Sequence, residues 1–320
     1  MRKIFCILLC LLTGCQHRNG ISEKKKREVT IPNTEEFILR SQVNRVPYKL
    51  FVALPDDYKQ SSEKYPVLYL TDADFMFPIA RATCTPPFLD KSGHWQKIII
   101  VGVSYQNQDF SHTNEKAYHF HFKKNRNRMR NCMGGAIVKR RDYMGAAIAK
   151  SMEKFLDKDV TAEMLKDIGQ AEKIKDFLGK ELIPYVDQHY RTNGENALGG
   201  SSSGGHFALW VLLNNPELFQ KYIGASPAPW TEGGYLLKQL SNLTYTHPIK
   251  LYLSIGDKEK EIKGKCDNFT DKNAMMQYLY AEIGKHGNIQ TKFEVLKDQD
   301  HYRACACGLI KGMEYIFKNN

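Results

Sequence analysis

One short stretch of the chain has the makings of a covalent catalyst. Gly200-Ser201-Ser202-Ser203-Gly204-Gly205 follows the run Asn196–Gly199 and precedes the apolar helical pattern Phe207–Leu213. A Gly-x-Ser-x-Gly at a strand-to-helix turn holds its serine on a tight, strained backbone and lifts the hydroxyl above the sheet. Glycines flank it because side chains there would collide. The amides of the helix that follows favour negative charge developing on an attacked carbonyl. Ser202 is therefore the candidate nucleophile.

A serine hydroxyl is inert near neutral pH, so a base and an orienting acid must come from elsewhere in the chain. The strand-like run Lys250–Ile255 ends in Gly256-Asp257-Lys258-Glu259, which offers two carboxylates. Thr291–Leu296 is the next such run, followed by Lys297-Asp298-Gln299-Asp300-His301. His301 is the only histidine after the final predicted strand and is the candidate base. His206 is its rival, but it sits on the helix just past the nucleophile and is read as packing. Asp257 and Glu259 lie two residues apart, and both stay open as the acid.

These groups need a scaffold that brings strand ends together. Strand-like runs fall at Pro47–Leu54, Pro66–Leu70, Ile98–Val103, Asn196–Ser201, Tyr222–Ala225, Ile249–Ile255 and Thr291–Leu296. The later ones are unbroken apolar segments, as expected of strands covered on both faces. Helical patterns at Ile174–Tyr190, Ser203–Leu213, Lys272–Ile283 and Cys305–Phe317 lie among them. This alternation predicts a mostly parallel central sheet with helices on both faces. Glu36–Ser41 and Pro47–Leu54 predict an antiparallel hairpin at its edge. From Gln108 to Lys139 no strand is evident. Lys123, Lys124, Arg126, Arg128, Arg130, Lys139, Arg140 and Arg141 crowd there behind Phe110, Tyr118, Phe120 and Phe122, a basic loop or lid too long for a plain connector.

The chain resembles the esterase D-like, or Putative esterase, branch of the α/β-hydrolases from about Tyr48 to Phe317. Tyr48-Lys-Leu-Phe-Val-Ala-Leu-Pro55 with Tyr58 resembles that family's opening strand. Tyr65-Pro-Val-Leu-Tyr-Leu-Thr-Asp-Ala73 resembles Tyr-Pro-Val-Leu-Tyr-Leu-Leu-Asp-Gly, with Ala73 in place of the glycine. Ile100-Val-Gly-Val-Ser-Tyr105 matches the next strand, Arg140-Arg141-Asp142 the Arg-x-x-Asp segment, and Ala225-Ser-Pro-Ala-Pro-Trp230 the Ser-Pro-Ser-Leu-Trp of siderophore-esterase relatives. The resemblance implies the α/β-hydrolase fold and a serine esterase. It favours Glu259, in a Gly-x-x-Glu pattern, as the acid, and the backbone amides of Ser203 and Asp74 as the oxyanion hole. It also implies that a catecholate trilactone siderophore is the ester, with Trp230, Arg140 and Arg141 against the ligand. A carbohydrate or aryl ester is the alternative substrate, and a non-catalytic binding lipoprotein with the same fold is the alternative class. No dinucleotide fingerprint, phosphate loop or zinc-protease motif occurs, so neither cofactor nor metal is expected.

The N-terminus bears on location. Met1-Arg2-Lys3, apolar Ile4–Leu12 and Leu12-Thr13-Gly14-Cys15 read as a signal peptide ending in a lipobox, with Cys15 lipidated. Residues 16–29 are a polar tether, and 30–320 the catalytic domain. The chain of 320 residues carries +11; without Arg2 and Lys3, 44 basic residues face 35 acids, leaving +9. That suits an anionic small-molecule ester or a membrane surface reached through the lipid. Nucleic acid is not an expected partner of a secreted, tethered domain. Cys84, Cys132, Cys266, Cys305 and Cys307 remain after the lipobox, an odd number that sequence cannot pair. The Cys305-Ala306-Cys307 spacing has no second cysteine pair with which to build a zinc site.

Overall fold

The apolar strands pair side by side, and helices cover the sheet they form. The structure, a computed structural model, describes residues 29–84, 95–105, 171–230, 234–242, 244–266 and 269–319, with residues 105, 242 and 261–266 described by backbone alone. The strands are β1 (Thr34–Arg40), β2 (Pro47–Ala53), β3 (Tyr65–Leu70), β4 (Ile99–Tyr105), β5 (Thr192–Ser201), β6 (Lys221–Ala225), β7 (Ile249–Gly256), β8 (Glu261–Cys266), β9 (Phe269–Asp271) and β10 (Ile289–Leu296). Among the described residues the main sheet runs β1-β2-β4-β3-β5-β6-β7-β10, and β8 pairs with β9 in a separate ribbon. β1 and β2 are antiparallel, as are β2 and β4; every other pairing in the main sheet is parallel. The predicted edge hairpin and parallel core are both present. The arrangement is the α/β-hydrolase fold.

Burial follows strand position. β3 and β6 are buried along their whole length, which is why they read as continuous apolar runs. The edge strand β10 is more open, with exposed Gln290, Lys292 and Val295 between buried or half-buried neighbours. The two faces divide the helices between them. Tyr65, Val67 and Tyr69 point to one core, and Leu68 and Leu70 to the other, as the twofold period of a strand requires. The first core takes α2 (Ala171–Phe177), α3 (Ile183–His189), α4 (Ser203–Asn214), α5 (Tyr235–Gln239) and α6 (Lys272–Gly284). The second takes α1 (Ala73–Thr83) and α7 (His301–Ile316).

Some elements differ from the sequence reading. The helical stretch 174–190 is two helices joined through a π-turn at Leu178–Leu182. The last helix begins at His301 rather than Cys305, capped by Asp300, whose side chain accepts from the Arg303 amide at 3.0 Å. Helix α1 and the β8–β9 ribbon have no counterpart in that reading. The signal segment with Cys15, the tether up to residue 28, the 108–139 stretch, Arg140, Arg141 and Cys132 lie outside the described residues. Cys84, Cys305 and Cys307 are free thiols. The described residues from 33 onward gather into one compact unit, and no helix among the described residues is long and apolar enough to cross a membrane.

Candidate active site

β5 and β6 end level with each other, and β7 and β10, level in turn, run two residues further. Ser201 on β5 pairs with Ala225 on β6, Ala225 with Ser254 on β7, and Gly256 at the end of β7 with Leu296 at the end of β10. The segments that begin at Ser202, Ser226, Asp257 and Lys297 therefore emerge side by side at the C-terminal edge, where sites in such sheets form.

Ser202 occupies the turn between β5 and α4 at φ 52°, ψ −117°, a conformation that costs a non-glycine residue about 1–3 kcal/mol. Its amide donates to Ala225 O at 3.0 Å, which ties the turn to β6. Sterics dictate the flanking glycines. A Cβ on Gly200 would lie 2.3 Å from the Gly204 carbonyl carbon, and one on Gly204 would lie 2.2 Å from Thr71 Oγ1.

A hydrogen-bonded chain runs from this serine. His301 Nε2 lies 2.9 Å from Ser202 Oγ, and His301 Nδ1 lies 2.6 Å from Glu259 Oε2. A carboxylate only accepts, so Nδ1 must carry the ring proton, leaving Nε2 free to take the proton of Ser202. The Glu259 side chain is almost wholly buried, while that of His301 is one-third exposed, open to a ligand. Burial is the largest influence on the Glu259 carboxyl and pushes it up. The hydrogen bonds from His301, Ser226 and the Gly256 amide together outweigh burial and hold it below its ordinary value. Glu259 thus stays ionised beside the imidazole.

Asp257, the other acid, faces elsewhere. Its Oδ1 accepts from the Gln299 amide at 3.2 Å, and the backbone amide of Asp298 is the main reason its carboxyl sits below the usual range. It braces the loop that carries His301. The same two loops are joined by Asp257 N–H to Leu296 O at 3.0 Å and Lys258 N–H to Gln299 O at 3.1 Å. Gly256 permits that approach, since a Cβ there would lie 2.3 Å from Gln299 O.

Ser203 is the first residue of α4, and Asp74 the second of α1. The entry to α1 rests on β5 through Thr71 N–H to Gly199 O at 3.0 Å, so the two helix starts are neighbours. The Asp74 carboxylate bonds Lys49 Nζ at 2.6 Å and the Ser104 hydroxyl. Lys49 and Ser104 thereby anchor the first turn of α1 to β2 and β4, a support the sequence reading missed.

His206 is buried, with Nδ1 2.9 Å from Ala228 O. Burial depresses its pKa to about 4, so it stays neutral and donates Nδ1–H to fix the loop 226–230 on α4. Trp230, at the end of that loop, is half-buried with Lys272 Nζ 4.8 Å from its ring centre. Phe75 and Tyr302 follow Asp74 and His301 in sequence and are exposed, and the Tyr302 ring lies 5.8 Å from that of His301. Burial pushes the Cys305 thiol up to about 12, so it remains a neutral packing group one turn beyond His301. Ser226 touches both Glu259 and His301, and in the sequence it stands only within the Ala225–Trp230 motif. No pattern of spacing pointed to its contact.

The family model described as Putative esterase matches residues 41–135 and 147–301. The ferri-bacillibactin esterase BesA of Bacillus subtilis is 24% identical over 285 residues, covering 85% of each chain. The siderophore triacetylfusarinine C esterase of Aspergillus fumigatus is 22% identical, covering 91% of this chain and 95% of its own. Among solved structures, the siderophore hydrolase EstB from Aspergillus nidulans superposes with a TM-score of 0.68 at 20% identity, covering 92% of this chain and 98% of that one.

Proposed function

The chain belongs to the Putative esterase family of ester hydrolases, and from that premise we propose that Ser202, His301 and Glu259 carry out the hydrolysis. The observation that carries this reading is the unbroken chain from Ser202 Oγ through both ring nitrogens of His301 to Glu259. Ser202 Oγ attacks the ester carbonyl carbon while its proton passes to His301 Nε2. The carbonyl oxygen becomes an oxyanion facing the amides of Ser203 and Asp74. Collapse breaks the bond to the alkoxide, which takes the proton from Nε2 and leaves as an alcohol. Water then attacks the acyl-serine and gives its proton to the same nitrogen; collapse breaks the bond to Ser202 Oγ, which takes that proton back as the acid is released. Glu259 keeps the imidazole in the right tautomer and offsets its charge in both halves.

The natural substrate under this proposal is an iron-loaded catecholate trilactone, a flat anionic ester. The relatives named as siderophore esterases support the choice. The aromatic surfaces of Trp230, Phe75 and Tyr302, and the positive charge of Arg140 and Arg141, suit such a ligand. Arg140→Gln with Arg141→Gln is expected to raise KM for a ferric trilactone about tenfold and leave p-nitrophenyl butyrate untouched. An equal change on both substrates, or none on either, removes the siderophore and leaves an esterase of another ester.

The proposal extends to location: a bacterial lipoprotein held at the membrane by acylated Cys15, facing the periplasm or cell surface. The order of cationic start, apolar stretch and Gly14-Cys15 supports it. Cys15→Ala should move the protein from the membrane to the soluble fraction. Membrane association that survives the substitution rejects the anchor.

A further inference from the structure

We infer that Ser226 is a positioning residue of this hydrolytic site, fixing the Glu259 carboxylate and, through it, the ring of His301. The inference rests on the triad assigned above. The Ser226 side chain is fully buried, with Oγ 2.5 Å from Glu259 Oε1 and 3.2 Å from His301 Nδ1. The Gly256 amide donates to the same carboxylate oxygen at 3.1 Å. Two donors therefore hold Oε1, and Oε2 is left for the imidazole. A glutamate side chain has three rotatable bonds, and without this grip the carboxylate would sample orientations that lose Nδ1.

The direction of the Ser226 proton follows from the chemistry of its neighbours. A carboxylate only accepts and Nδ1–H only donates, so the hydroxyl gives its proton to Glu259 and turns its lone pairs toward His301. That orientation suits both charges present when His301 holds the serine proton. The backbone supports the same reading. Ser226 has φ 46°, a left-handed conformation that glycine adopts without strain, and its amide is bound to Ser254 O at 2.9 Å. Glycine would fit the turn more easily, and what serine adds is the hydroxyl.

Ser226→Gly deletes the hydroxyl while relaxing the backbone, and Ser226→Ala deletes it while keeping the strain. Both should lower kcat on p-nitrophenyl butyrate about ten- to a hundredfold, as loss of one hydrogen bond to a charged group does, with KM unchanged. The glycine variant should melt no lower than wild type. In a Glu259→Ala background the same substitution should cost no further activity, because the group it positions is gone. The downfield NMR resonance of the His301 Nδ1 proton, which needs no turnover, should shift in Ser226→Gly. An unshifted resonance overturns the inference whatever the rate does, and so does an equal rate loss in the Glu259→Ala background. If the resonance shifts but Ser202→Ala hydrolyses as fast as wild type, Ser226 keeps its role and the triad assignment fails instead.

Discussion

Ser202→Ala is expected to lower kcat on p-nitrophenyl acetate or butyrate by about 10⁴–10⁶-fold with the fold intact. The size follows from the way nucleophile and base act together. Without Oγ, His301 Nε2 has no proton to collect, and only the oxyanion amides remain to help water. The substitution leaves the strained turn as it was, since alanine meets the same φ of 52°. Equal melting temperatures would separate a catalytic loss from a folding one. A fluorophosphonate should label the wild type and not the variant. A wild type inert to every activated ester and unlabelled would instead mark a binding protein that keeps the fold.

The second large effect divides the two acids. Glu259→Gln should lower kcat by about 10³–10⁴-fold with little change in KM, because an amide nitrogen facing Nδ1 favours the wrong tautomer. Asp257→Asn should change kcat by no more than about twofold, because the asparagine carbonyl oxygen still accepts from Gln299 N–H. The reverse ranking would make Asp257 the orienting acid and sink the assignment of Glu259.

The turn that holds Ser202 was legible in the sequence because its backbone leaves no alternative: the glycines at 200 and 204 are forced by contacts closer than any side chain allows. His301 was legible by position, as the histidine following the last strand. The choice between Asp257 and Glu259 was not readable from spacing, because both leave the end of β7 within three residues. A turn separates them in space, with Glu259 N–H bonded back to Gly256 O at 3.1 Å, and it is the Glu259 side chain that reaches the imidazole. The central strands announced themselves as apolar runs, whereas α1 did not. Pro78 lies inside that helix, and a proline normally argues for its end. Ser226 was hidden for another reason. Its contacts are to residues 33 and 75 positions away, and only the neighbouring C-terminal ends of β6, β7 and β10 bring them together.

The stitched loops after β7 and β10 also set a timetable. Ser202 and His301 are 99 residues apart in the chain, Glu259 and His301 are 42, and these meetings depend on β10 docking at the sheet edge. Helices and turns form early in folding, while such distant pairings come late. Hydrolytic competence therefore waits until the sheet is complete out to its β10 edge. Run backwards, the order makes turnover a sensitive gauge of damage: fraying of a single edge strand would withdraw His301 while most of the sheet still stood.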